Sequence, residues 1–109
     1  MTDVIQVQTT TAERQDAEHI ASRLVGTRLA ACVQVSGPIT STYRWKGAVE
    51  SSQEWLCSIK TRLDLFEQVK KTIREIHPYE EPEILAVPVV AGSEGYLDWL
   101  NKELETPAE

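Results

Sequence analysis

Apolar and polar residues alternate over Val4-Ile5-Gln6-Val7-Gln8-Thr9, which predicts a short strand, and the spacing then changes at once to that of a helix. Thr10-Thr11-Ala12-Glu13 has the spacing of a capping box, and Ala17, Ile20, Ala21, Leu24 and Val25 fall on one helical face. Gly26 is placed to stop this helix in a left-handed conformation. His19 lies on the opposite face with Gln15, Ser22 and Arg23 and reads as a solvated histidine. From Leu29 the period returns to two, with Leu29, Ala31, Val33 and Val35 on one side and Ala30, Cys32, Gln34 and Ser36 on the other. Ser36-Gly37-Pro38 interrupts the strand as a bulge or bend, after which Ile39 to Trp45 continues the extended path. Lys46-Gly47 reads as a tight turn. Ala48 to Lys60 returns as a third strand, with Trp55, Cys57 and Ile59 facing one way and Leu56, Ser58 and Lys60 the other. A hairpin this long is expected to project beyond the body of a small domain.

Thr61 is expected to cap a second helix, whose apolar stripe is Phe66, Val69, Ile73 and Ile76 and which ends at His77-Pro78. Ile84 to Val90 is an apolar run of strand length, with Pro88 marking an edge or an end. Ser93 opens a last helix carrying Tyr96, Leu97, Trp99, Leu100 and Leu104, and the tail Glu105 to Glu109 is expected to fray. The order β-α-β-β-α-β plus a terminal helix is an α+β fold of the ferredoxin-like, split βαβ kind, with both long helices on one face of an antiparallel sheet. The other face would carry Gln6, Gln8, Cys32, Gln34, Ser58 and Lys60, almost without charge. A solvated sheet face usually carries Lys and Glu, so this one predicts packing against another subunit.

With 109 residues, 41% of them hydrophobic, the chain fits one domain spanning 1–109. Seventeen acidic against eleven basic side chains, a net charge of −6, argue against a nucleic-acid partner, since no basic run is present to neutralise phosphates. The longest uncharged stretch, Leu29 to Tyr43, holds too many polar residues to span a membrane. Asp3 sits where a secretory leader wants positive charge, and two cysteines, Cys32 and Cys57, make neither a disulfide framework nor a CxxC knuckle. A reduced cytoplasmic protein is the expectation.

The densest chemistry lies in His77-Pro78-Tyr79-Glu80-Glu81-Pro82-Glu83, one imidazole, one phenol and three carboxylates within seven residues. The dipole at a helix C-terminus and the neighbouring acids favour a protonated imidazole, which neither ligates metal nor accepts a proton. Read from the residues alone, the segment is either a helix stop whose acids face water or a site.

Five segments taken together resemble the CutA family of divalent-cation tolerance proteins over essentially the whole chain. They are Leu29-Ala30-Ala31-Cys32-Val33, Tyr43-Arg44-Trp45-Lys46-Gly47, Glu54 with Ile59-Lys60-Thr61, His77-Pro78-Tyr79-Glu80 with Pro82-Glu83-Ile84, and Tyr96-Leu97-Asp98-Trp99. The resemblance implies a ferredoxin-like subunit in a tight homotrimer, similar in architecture to PII signalling proteins, with no common catalytic activity. It also implies copper ligands at a cysteine near the end of the first strand and at two successive histidines before the Pro-Tyr segment. Gln8 and Ile76 stand at the first two of these positions, and His77 alone is kept. An amide, an alkyl group and one imidazole do not suit copper. The remaining metal candidates are His77, Cys32 and Glu80, with Cys32 alternatively a small core residue. Tyr43, Trp45 and Lys46 at the hairpin end, with Tyr79 and Glu83, are the candidates for a ligand-binding cleft between subunits; burial in a subunit contact is the competing role for the hairpin aromatics.

The resulting expectation is a non-enzymatic homotrimer that binds copper, another divalent metal or a small ligand at intersubunit clefts. The alternatives are a structural or signalling trimer that presents surfaces to protein partners, and an enzyme using His77 as general acid or base.

Overall fold

The elements form in the expected order in the structure, a computed structural model that describes residues 2–106. They are β1 (Val4–Thr11), α1 (Arg14–Gly26), β2 (Cys32–Trp45), β3 (Ala48–Arg62), a 3-10 turn (Leu63–Leu65), α2 (Phe66–Ile76), β4 (Leu85–Pro88) and α3 (Glu94–Glu103). The sheet has the order β2-β3-β1-β4 with every neighbouring pair antiparallel, the ferredoxin-like arrangement.

Both helix starts differ from the sequence reading, for one reason. β1 pairs with β3 as far as Thr11 opposite Trp55, so Thr10 and Thr11 are strand residues and Glu13 occupies the N-cap of α1. Thr61 likewise stays in β3, opposite Ile5, and its buried hydroxyl donates to the Leu29 carbonyl at 2.7 Å rather than capping a helix. Ladder pairing satisfies these backbone groups better than a cap would. The left-handed residue after α1 is Arg28, at φ 63°, not Gly26. Arg28 donates from Nε to Glu103 O at 3.0 Å and from Nη2 to Lys102 O at 2.9 Å, so its guanidinium caps the C-terminus of α3. Glu105 is tied rather than frayed: its N–H donates to Arg28 O at 2.7 Å, and residues 107–109 of the predicted tail lie outside the described residues. Strand pairing in β2 begins at Cys32, with Leu29 and Ala30 buried ahead of it.

The interruption at Ser36-Gly37-Pro38 is a one-residue bulge within a continuous strand. Ser36 pairs with Leu56 and the next partners are Ile39 and Glu54, three steps along β2 against two along β3. The extra residue inverts the alternation: even-numbered residues of β2 face one side before it and odd-numbered residues face that side after it. At the far end Lys46 (φ 50°) and Gly47 (φ 82°) form the turn, both left-handed as a two-residue hairpin loop of the primed type requires.

One sheet face carries Ile5, Val7, Cys57 and Ile59 against Ala17, Ile20 and Leu24 of α1 and Val69 and Ile73 of α2, and these form the core. The second face is covered only at its ends: near Thr10 and Glu54, which are 7% and 8% exposed, and around Val4 and Arg62. At the latter end Val4 is 3% exposed, and Arg62 opposite it donates to Asn101 of α3 at 3.3 Å and to the Glu105 carbonyl at 3.1 Å. Across the remainder run two cross-strand rows, Leu85-Gln8-Ser58-Gln34 and Val87-Gln6-Lys60-Cys32. Leu85 and Val87 are 57% and 46% exposed.

Candidate functional site

β4 stops pairing with β1 at Gln8, and the segment that leads into it wraps the sheet edge beyond that point. Pro78 pushes His77 out of the helical region, to φ −74° and ψ 133°, which turns its ring inward. The imidazole is 7% exposed and both nitrogens are used: the Tyr79 N–H donates to Nδ1 at 3.0 Å, and Nε2 faces the Thr10 carbonyl at 2.7 Å. Nδ1 therefore accepts and Nε2 carries the proton, which makes the ring neutral, contrary to the protonated form the helix dipole suggested. The His77 and Tyr79 rings lie 4.8 Å apart.

Tyr79 donates its hydroxyl to Glu54 Oε2 at 2.8 Å. Glu54 is the first β3 residue paired beyond the bulge, on the side of Lys60 and Ser58, and it is 8% exposed. Burial, with the Glu54 carboxylate as acceptor and neighbour, raises the Tyr79 phenol well above its ordinary value near 10.0. A raised phenol adds stability in full below pH 10, and that stability is lost as pH climbs through the folded-state value. An ultraviolet titration is thus expected to show one phenol ionising well after free tyrosine, and Tyr79→Phe is expected to remove that late component. A wild-type curve in which every phenol titrates with a midpoint near pH 10 would contradict the pairing.

These contacts separate the residues singled out in the sequence. His77, Tyr79 and Glu54 form one connected cluster, and Tyr43 is close enough to add to the shift of the Tyr79 phenol while sharing a 3.2 Å hydrogen bond with Ser52. Trp45 and Lys46 lie at the hairpin tip, with the Lys46 ammonium 5.8 Å from the Trp45 ring. Trp45 pairs with Ala48, six residues along β3 from Glu54, or roughly 20 Å at strand spacing. Within one chain the tip does not meet Tyr79. Glu80 and Glu83 are exposed on the wrapping segment, and Cys32 lies in the open face opposite Lys60. His77, Cys32 and Glu80 are not brought together, and among the described residues no group of three His, Cys, Asp or Glu side chains is placed to hold a metal ion. The group the sequence reading left out of the site is Glu54, which regular alternation in β3 places on the side of Ser58 and Lys60 and which Tyr79 contacts from 25 residues away along the chain.

No helix among the described residues is long and apolar enough to cross a membrane. Cys57 is fully buried, donates to Ala17 O at 3.7 Å, and burial pushes its thiol up to about 11.

Residues 5–103 match the sequence profile of a family described as CutA1 divalent ion tolerance protein. A divalent-cation tolerance protein CutA of Thermus thermophilus is 43% identical over 93 residues, 85% of this chain and 90% of that one. A Thermus thermophilus structure described in the same terms superposes with a TM-score of 0.91 at 40% identity, covering 94% of this chain and 99% of the other. A chloroplastic CutA protein of Arabidopsis thaliana is 40% identical over 89% of this chain, which spans 53% of that longer protein. The structure of a CutA described as periplasmic, from Archaeoglobus fulgidus, superposes with a TM-score of 0.90 at 34% identity over 94% of this chain and 99% of that one. The last two correct the expectation of a cytoplasmic protein: similar chains are described as residing in the periplasm and the chloroplast. A sparse pair of unbridged cysteines did not carry that inference, because a thiol as sealed as Cys57 is protected wherever the protein resides.

Proposed function

This chain belongs to the family of CutA1 divalent ion tolerance proteins, and from that premise we propose that it acts in divalent-cation tolerance as a non-enzymatic homotrimer assembled through its open sheet face. The observation that carries the assembly is that face itself: its two rows contain a single charged side chain, Lys60, and end on the exposed Leu85 and Val87. A sheet face of amides and small side chains, nearly without charge and ending on exposed Leu85 and Val87, suits a subunit contact better than water, and closed symmetry with a second and third copy is the usual way to cover it.

In such an assembly the hairpin of one subunit lies beside the wrapping segment of the next, so that clefts form with Tyr43, Tyr79 and Glu83 on one side and Trp45 and Lys46 on the other. Cation contact in these clefts falls to the exposed carboxylates Glu80 and Glu83. The His77 imidazole, with both nitrogens engaged, serves to pin the segment rather than to ligate. Hard carboxylate oxygens suit divalent ions in general and do not select copper.

Calorimetric titration with copper(II) and with zinc(II) tests this reading. The Glu80→Gln/Glu83→Gln double variant is expected to bind about tenfold more weakly than the parent, while Cys32→Ser binds as the parent does. Loss of binding in Cys32→Ser with the carboxylate variant unchanged would overturn the assignment, and a parent that binds neither ion would favour a scaffold that presents surfaces to protein partners.

A further inference from the structure

We propose that Glu54 receives the Lys60 ammonium of a neighbouring copy, so that the Glu54-Tyr79-His77 cluster is completed only between subunits. Glu54 is 8% exposed and accepts the Tyr79 hydroxyl on Oε2; among the described residues no Lys, Arg or His nitrogen lies within 4.0 Å of its carboxylate. A carboxylate so far removed from water is ordinarily matched by a cation as well as by neutral donors. Lys60 presents the complementary defect. It is the one charge in the two rows of the open face, and its ammonium is held by a neutral group, the Gln34 side-chain carbonyl.

The two residues share a strand and a face. Both are even-numbered positions of β3, pointing to the side that no helix covers at their level. Within a chain they cannot meet, because six residues of strand separate them by roughly 20 Å. A head-to-tail contact of the kind that closes a three-membered ring sets different parts of the same surface against each other, which lets the Lys60 of one copy reach the Glu54 of the next. Pairing of this kind also fixes the register of the contact, since a slipped arrangement would strand both charges.

The inference rests on the self-association proposed above, and charge reversal in separate chains distinguishes the two. Lys60→Glu alone places two carboxylates at each contact, and Glu54→Lys alone places two ammonium groups there; each is expected to dissociate at about tenfold higher concentration than the parent, or more. Mixed, the two variants restore opposite charges at every contact between unlike chains. Native mass spectrometry of differently tagged chains is then expected to show mixed assemblies in excess over statistical mixing. If Glu54→Lys does not fold, a cycle of Glu54→Gln and Lys60→Met serves instead: Lys60→Met should weaken assembly in the parent and have little effect in Glu54→Gln. Statistical mixing, or additive losses in the cycle, with the parent still assembled would overturn the ion pair and leave the trimer standing. A monomeric parent would overturn both.

Discussion

Val87→Asp is expected to convert the assembled protein to monomers at concentrations where the parent remains associated. Val87 lies in the open face opposite Gln6, and in the isolated chain its side chain already meets water. The substitution is therefore expected to leave the monomer's fold intact, since surface changes away from special features usually stay within about 0.5 kcal/mol. At a subunit contact the same carboxylate would be desolvated without a cation, a defect worth roughly 3–5 kcal/mol, or on the order of a thousandfold in the dissociation constant. Sedimentation of the variant beside the parent measures this directly. An assembly that tolerates the new carboxylate would mean that Val87 faces solvent in the complex and that another surface holds the subunits together.

A loss of about 1–3 kcal/mol in unfolding free energy is expected for Gly37→Ala, at a solvent-exposed position in the bulge. At φ 150° Gly37 occupies backbone space that side chains disfavour, and an added Cβ would lie 2.8 Å from Cε3 of Trp55 and 3.0 Å from the Glu54 carbonyl oxygen. The Glu54 carbonyl is backbone held in the ladder, so the strain cannot be relieved by a side-chain shift alone. Because the displaced backbone belongs to Glu54, the variant should also disturb the Tyr79 hydrogen bond and shift its late titration toward that of free tyrosine. Urea unfolding together with the ultraviolet titration checks both effects. Parent-like stability would show that the bulge accommodates a methyl group and does not depend on glycine.

The periodicities of the chain carried the architecture. The stripe Ala17, Ile20 and Leu24, the alternation through Val33 and Val35, and the Lys46-Gly47 turn all appear where their spacing placed them, because each is local and reinforced by burial. Failures came where a local signal competed with a distant partner. Thr10 and Thr61 have good capping chemistry, yet β3 and β1 claim them for the ladder. Gly26 is the obvious left-handed stop, but Arg28 takes that conformation and finds its acceptors at Lys102 and Glu103, more than seventy residues away. The candidate site was half legible. His77 and Tyr79 announced themselves by their crowding between prolines, and their proximity holds. Glu54 did not, because a single acid in a polar strand looks solvated until Tyr79, 25 residues further along the chain, is known to fold onto it.

Light scattering on the unmodified chain at micromolar concentration tests the central proposal most directly. Self-association through the open face predicts a particle of three times the 12.3 kDa chain mass. A fully folded particle of 12.3 kDa, unchanged on concentration, would contradict it.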